Sequence, residues 1–437
     1  RSKRARAPAL PANYYVLDGA SLYIGVSSIM AEQQAKPLNI ICFATFFKGG
    51  DFMRECQARG CDVTLITKEK MLEEDWPREV LADLFAVPND APVELFLDLV
   101  SHIAQRRKVD RIIALEEFDV VIAALAREHL CLKGMSSVTA KTFRDKLSMS
   151  VKARDAGITV PDFAPAINND EIAGYLNRVP PPWVLKPRSD VSAIGIRKLG
   201  SAEEAWAVIE ELNKRESLRE RASYHLLSRF ISGEVFHVDS LVDQGRVVFA
   251  GVNKYGRPPL QVAHSGGAYI SQTIAHGSAE QRRLLEINRR LIKAMGLQSG
   301  ATHAEFIKSE ADGEFYFLEI AARVGGAYIA DVLEAATGIN LWREWARLEV
   351  AGDRAPRERL KPRKEYAGII LSLAKQEYPD TSAYDDPEVF YRVKKRHHAG
   401  LIVRAKKLER VNELLTDYGR RFAEDFIAVL PPLERPE

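Results

Sequence analysis

Two glutamates separated by a turn are where chemistry would begin in this chain. Glu305 and Glu319 flank Glu310-Ala311-Asp312-Gly313-Glu314, a hairpin signal between the strand-like runs Thr302–Lys308 and Glu314–Ile320. A three-residue loop there, with Gly313 in the left-handed conformation, sets Glu305 directly opposite Glu319 on one face, with Cβ atoms about 4.5–5.5 Å apart. Like charges at that spacing repel, and both glutamates have apolar neighbours: Ala304 and Phe306, Leu318 and Ile320. Either one carboxylate keeps a proton or a cation sits between them. A hard divalent ion, Mg2+ (or Mn2+), held by the carboxylates and completed by substrate phosphates, satisfies the pair best. A register shifted by one residue, or an exposed sheet face, would leave both glutamates in solvent instead.

The elements around this hairpin fall into three blocks. Leu38–Thr45, Asp62–Thr67 and Arg111–Leu115 are short apolar runs separated by helical stretches, the pattern of a small doubly wound parallel sheet over 38–135. Ligands in such sheets gather at the carboxyl ends of the strands, where Glu116, Glu117 and Asp119 stand; a solvated loop or a helix start is the plainer account of those three. G-x-G-x-x-G is absent after the first strand, which disfavours a dinucleotide oxidoreductase. A second block, 136–355, opens with a helix carrying Lys146 and ending at Gly157, followed by Pro161. Strands at Trp183–Lys186, Tyr224–Ile231, Val235–Val242 and Arg246–Val252 follow, then a helix near 278–295 and the hairpin. The third block, 356–437, has strands at Ala367–Leu373 and Leu401–Arg404 and a helix at Leu408–Phe426, and reads as a C-terminal α+β domain. Lys254–Ile270, with paired prolines and glycines, reads as a mobile substrate loop in which Lys254, His264, Ser265 and Gly266 could reach a ligand.

Composition narrows the class. Sixty-two Lys and Arg against 60 Asp and Glu leave a net charge of +2 over 437 residues, which argues against a dedicated nucleic-acid binder. No apolar run approaches the ~18 residues of a membrane span. The four cysteines, Cys42, Cys56, Cys61 and Cys131, form no C-x-x-C, so free thiols and a cytoplasmic location are expected. Residues 1–37 are basic at the start and poor as a secretory signal; they read as an extension foreign to the fold, with the natural start at Met30.

Four motifs together resemble the ATP-grasp superfamily, in its amino-acid and dipeptide ligase branch and more distantly biotin carboxylase. Phe317–Gly326 (FLEIAARVGG) is similar to the metal and catalytic motif, and Arg144–Pro161 to the Asp-Lys helix. Val184–Ile196 is similar to the phosphate-loop strand, and Ser228–Val242 to the adenine hinge. The resemblance covers roughly 38–430. It implies a Rossmann-like N-terminal domain, a central ATP-grasp domain with a small lid at about 160–232, and a C-terminal α+β domain. It also implies that ATP is co-substrate, that Lys146 and Lys186 hold its phosphates, and that Arg229, Phe230 and Ile231 meet the adenine. Glu234 would take the ribose hydroxyls, Glu305 and Glu319 the metal, and Arg323 the charge of the transition state. The implied reaction joins a small-molecule acid to an amine through an acyl-phosphate; a bicarbonate-using carboxylase or a non-catalytic ATP-binding protein are the rival readings. A homodimer is compatible with the resemblance. Three departures stand out: Ala321 where an asparagine ligand is usual, a glycine-poor phosphate loop at Ser189–Gly195, and Ser228 where the hinge usually begins with an acid.

Overall fold

The computed structural model describes residues 14–16, 37–190, 195–260, 262, 266–352 and 359–428. They fall into two compact units, the first formed by Arg1–Ala140 with Trp342–Pro356 and the second by Lys141–Leu341 with Arg357–Glu437.

In the first unit β1 (Tyr14–Val16), β2 (Asn39–Phe43), β3 (Asp62–Lys68), β4 (Asp83–Val87) and β5 (Arg111–Ala114) form a parallel sheet in the order β1-β4-β3-β2-β5. Ile40 to Phe43 of β2 are buried on both faces, as an apolar run in a parallel sheet requires. The helices α1 (Gly50–Ala58), α2 (Val93–Arg106) and α3 (Val120–His129) follow β2, β4 and β5 in the chain. α2 buries Phe96, Leu99, Val100 and Ile103, an i, i+3, i+4, i+7 stripe that the sequence reading passed over. Tyr14–Val16 lie inside the stretch expected to be foreign to the fold, yet they pair with Leu84–Ala86 as an edge strand. All four cysteines are free, and burial pushes the Cys42 and Cys56 thiols up.

The second unit begins within the short helix α4 (Ser137–Thr142). α5 (Lys146–Asp155) is capped by Asp145, which accepts from the N–H groups of Leu147 and Ser148. It ends as expected at Gly157, with Ile158 N–H bonded to the Ala153 carbonyl and Gly157 N–H to that of Arg154. The lid sheet consists of β6 (Phe163–Pro165), β7 (Trp183–Pro187), β8 (Arg197–Leu199) and β9 (His225–Arg229), antiparallel in the order β6-β9-β7-β8. α6 (Asn169–Arg178) and α7 (Ala202–Asn213) share its apolar core through Ile172, Tyr175, Leu176, Ile209 and Leu212.

The large sheet has eight antiparallel strands. They are β10 (Gly233–Asp243), β11 (Arg246–Tyr255), β12 (Tyr269–Thr273), β13 (Ser299–Ser309), β14 (Phe315–Ala321), β15 (Tyr366–Leu373), β16 (Val389–Arg392) and β17 (His398–Ala405). Their order is β14-β13-β10-β11-β12-β15-β17-β16. α8 (Ala279–Met295) buries Leu284, Ile287, Leu291, Ile292 and Met295, and α9 (Ile329–Thr337) is buried along most of its length. α10 (Leu341–Ala351) belongs to the first unit, where Trp345 meets Phe52 edge-on, and α11 (Leu408–Asp425) packs Leu414, Leu415 and Tyr418 against β15 and β17. The block expected to stand apart as a C-terminal domain is therefore no separate unit: β12 bonds to β15, and the trailing strands extend the sheet that carries the hairpin. The chain needs them there because β12 would otherwise be an unpaired edge.

Glu116, Glu117 and Asp119 are all buried, so they form no solvated loop; they are a helix start, with Glu117–Asp119 a 3-10 turn leading into α3 and Glu116 accepting from Glu117 N–H at 2.8 Å. Glu116 forms an ion pair with Lys48, and Asp119 accepts from Thr45 N–H and Oγ1, both at 2.8 Å, tying the end of β2 to the end of β5. Burial pushes the Asp119 carboxyl up to about 7, Glu116 adds to the rise, and the Thr45 bonds oppose it. An unfolded aspartate ionises near pH 4, about 3.9 in peptides. Between that value and 7 the folded state is the better proton binder, so stability falls as pH rises across the window. Asp119→Asn is expected to flatten the decline of Tm between pH 5 and 8; an unchanged slope in differential scanning calorimetry would refute the assignment.

Candidate active site

The hairpin places Glu305 opposite Glu319, as the sequence predicts, but by a different route. The loop has four residues, Glu310 to Gly313, closed by Ser309 N–H to Glu314 O and Gly313 N–H to Ser309 O, both at 2.9 Å. That loop pairs Lys308 with Phe315 and Phe306 with Phe317. Continued unchanged, the register would set Leu318 against Glu305 and turn Glu319 to the far face. A β-bulge intervenes: Leu318 is the extra residue, and beyond it Glu305 faces Glu319 and His303 faces Ala321. Leu318 packs with Ile231, Val235, Tyr255 and Ile307, while the next residue, Glu319, joins Glu305 on the same face. Their side chains keep 35% (Glu319) and 17% (Glu305) exposure, so both carboxylates remain open to a ligand.

Two lysines converge on this pair. Lys146, the first residue of α5, is buried; its Nζ lies 3.0 Å from Glu319 Oε2 and donates to the Asp190 carbonyl at 2.6 Å. The cap residue Asp145 also receives Arg188 from the end of β7, through Nε at 3.0 Å and a second short bond from Nη2. Lys146 N–H donates to the Arg188 carbonyl at 2.8 Å, so α5 and the lid strand are fastened together at the point where both lysines emerge. Lys186 is partly exposed on β7. Burial pushes its ammonium down to about 8, with Lys146 adding to the fall and Glu319 and Glu305 opposing it.

Other expected site residues are placed as follows. Ile231 is buried in the apolar cluster with Leu318. Arg229 N–H donates to the Asp162 carbonyl and Phe230 N–H to that of Pro182, so these amides serve the lid rather than a ligand. The Phe230 ring lies under Lys198 Nζ at 3.9 Å. Glu234 is exposed and accepts from Lys254 Nζ at 2.7 Å, and strand alternation turns both away from the face carrying Val235 and His237. Lys254 is thus a strand residue of β11 rather than part of a loop. The Gly266 carbonyl accepts from Arg257 at 2.9 Å, and His264 and Ser265 lie outside the described residues. Arg323 follows β14 and donates to the Val324 carbonyl at 3.1 Å.

The sequence reading missed a buried polar chain behind Glu305. His237 Nδ1 donates to Asp239 Oδ2 at 2.6 Å, and His303 Nδ1 to Asp239 Oδ1 at 2.9 Å. His303 Nε2 is 3.3 Å from Glu305 Oε1, which also accepts from Tyr255 OH at 2.6 Å. Burial pushes His303 down, but the Asp239 and Glu305 carboxylates override it and raise the imidazole to about 10. Burial raises Glu305 in turn, and His303 and Tyr255 hold it below the usual glutamate range. The available signal was spacing: His303 with Glu305, and His237 with Asp239, stand two apart on strands and so share a face.

Among the comparisons with known proteins, residues 179–331 match the family model described as the ATP-grasp domain. An L-arginine-specific L-amino acid ligase of Bacillus subtilis is 24% identical over 277 residues, covering 62% of this chain and 65% of the relative. An alanine–anticapsin ligase of Bacillus subtilis is 22% identical over 271 residues, covering 58% and 56%. The matches therefore span less than two thirds of each relative's length. In structure the chain is similar to an L-amino acid ligase from Bacillus licheniformis, with a TM-score of 0.70 at 19% identity over 91% of this chain and 99% of that one. It is also similar to the biotin carboxylase domain of the Hydrogenobacter thermophilus 2-oxoglutarate carboxylase, with a TM-score of 0.67 at 16% identity over 89% and 90%. The fold is the ATP-grasp fold, mixed α/β as the sequence predicts.

The lysine and carboxylate cluster makes a titration prediction. Lys186 is expected to titrate near pH 8, in 13C-dimethyl-lysine NMR, about two pH units below a surface lysine. Glu319→Gln should lower it further and Lys146→Ala should raise it. A Lys186 resonance titrating with the bulk lysines would overturn the placement.

Proposed function

We propose that this chain is an ATP-dependent carboxylate–amine ligase, joining an amino acid or other small acid to an amine through an acyl-phosphate and releasing ADP and phosphate. One observation carries the reading: Glu305 and Glu319 face each other on a sheet while Lys146 of α5 pairs with Glu319 at 3.0 Å. The ATP-grasp match and the likeness to amino acid ligases support it.

The donor set fits a hard cation. The pair offers carboxylate oxygens on one open face, and Ala321, opposite His303, adds none, so Glu305 and Glu319 are the residues that would hold Mg2+ or Mn2+. Such an ion would offset the negative charge of the phosphates. Lys146 and Lys186 would bind the remaining phosphate oxygens, and Ile231 with Val235, Ile307 and Leu318 would supply the apolar seat for the base. An oxygen of the substrate carboxylate then attacks the γ-phosphorus, the bond to the β–γ bridging oxygen breaks, and ADP leaves. The amine next attacks the acyl carbon, the bond to the phosphate oxygen breaks, phosphate leaves, and the nitrogen gives up a proton. Arg323 would meet the charge of the transferring phosphoryl group and the tetrahedral intermediate. Catalysis of this kind is positioning and charge neutralisation, helped by a lid that excludes water from the acyl-phosphate.

The likeness to the biotin carboxylase domain favours a second reading, in which bicarbonate is the phosphate acceptor. Release of ADP from Mg-ATP across a matrix of amino acids and small acids separates the two. Release that requires one acid and one amine, and is lost in Glu319→Ala, is the expected result; release that depends on bicarbonate alone would transfer the assignment to the second reading. Binding of nucleotide with no release under any pair would count against both. Arg323→Ala is expected to lower kcat about 10²–10³-fold with a smaller change in KM for ATP.

A further inference from the structure

The buried chain behind Glu305 runs across four neighbouring strands. From β12 it starts at Ser271, whose Oγ is 2.8 Å from His237 Nε2. On β10 it passes through His237 and Asp239, on β13 through His303 to Glu305, and Tyr255 of β11 meets the same Glu305 oxygen. The register builds it: His237 lies beside Glu305 and Asp239 beside His303. His237 and Asp239 are fully buried and His303 nearly so.

These groups could be taken for a cation site in their own right, since two imidazoles and a carboxylate converge. The distances point the other way. Ligands about 2.0–2.2 Å from one tetrahedral ion stand roughly 3.3 Å or more apart. The two Nδ1 contacts to Asp239, at 2.6 and 2.9 Å, are hydrogen-bond distances with the hydrogen between. Asp239 accepts only, so both imidazoles donate to it. Gly325 closes the chain from above: a Cβ there would come within 2.6 Å of Asp239 Oδ1 and 3.2 Å of His303 Nδ1, leaving no space for a further group.

His303 has a carboxylate at each ring nitrogen, so both nitrogens donate, one to Asp239 and the other to Glu305. Both contacts on Glu305, from His303 and Tyr255, fall on Oε1; among the described residues none of its hydrogen bonds is made through Oε2. We infer that His303, braced by Asp239 and His237, is a positioning residue that fixes the rotation of the Glu305 carboxylate and directs Oε2 to the divalent ion. It acts through Glu305 and touches neither nucleotide nor metal. Partners of this kind behind a metal ligand hold its geometry, and their loss weakens metal binding about 10–100-fold. The inference rests on the proposed nucleotide and metal site.

The test is direct Mn2+ binding, read by electron paramagnetic resonance with ADP present, on the full chain. His303→Ala is expected to weaken Mn2+ by about 10–100-fold, while ADP affinity without metal changes little. His303→Gln, whose amide can still donate toward Oε1, should recover part of the loss. Tyr255→Phe removes the other donor to Oε1 and serves as the second variant should His303→Ala fail to fold; it should weaken Mn2+ in the same direction. Wild-type Mn2+ affinity in His303→Ala, or in Tyr255→Phe if only that variant folds, would overturn the inference. Failure of the wild-type chain to bind Mn2+ with ADP would instead overturn the ligase reading beneath it, and this inference with it.

Discussion

Two ionised carboxylates that share one face of a sheet, partly withdrawn from water, need positive charge fixed around them. Much of the second unit can be understood from that constraint. Lys146 stands at the first turn of α5, where the helix dipole disfavours a cation, and its charge is met by Glu319 and the Asp190 carbonyl. Asp145, one residue earlier, caps the same helix and holds Arg188, so a single carboxylate fixes the helix start and the end of the lid strand. On the same face as Glu305, His303 provides the third positive group, wedged between Asp239 and Glu305. The arrangement is costly unless every member is partnered, and that interdependence makes the geometry specific.

The same sheet explains why the trailing residues cannot be treated as an appendage. β12 lies between β11 and β15, and it carries both Ser271, the far end of the polar chain, and Tyr269 of the apolar cluster. A strand from the trailing block therefore braces the strand that supports His237. Disturbing the packing of α11 on β15 would reach the site through backbone pairing, without touching any residue that meets a ligand.

How much of this was readable beforehand depended on where each interaction lies along the chain. The apolar strands, the Asp145 to Gly157 helix and the opposition of Glu305 to Glu319 are local matters of periodicity and turn chemistry, and they were legible. The loop length was not, because two departures cancel: one more loop residue shifts the register, and the bulge at Leu318 shifts it back. The His237–Asp239–His303 chain was hidden for another reason. Its members are brought side by side by pairing of β10 with β13, more than sixty residues apart in sequence, and no local pattern announces that register. The trailing strands were seen as strands, but their membership of the large sheet is likewise a long-range pairing. Lys254 reads as a loop residue in the sequence because the prolines and glycines after it mask the last residues of an ordinary strand.

The division of the chain into two units has a consequence for its synthesis on the ribosome. The backbone passes from the first unit to the second at Lys141, returns at Trp342 and leaves again at Arg357. Arg343 and Arg347 pair with Asp51 and Glu55, and Trp345 covers Phe52, so α1 waits for partners made nearly three hundred residues later. The large sheet waits too, for β15 and β17. A nascent chain therefore exposes unfinished apolar surface of both units until α10, β15 and β17 have been made.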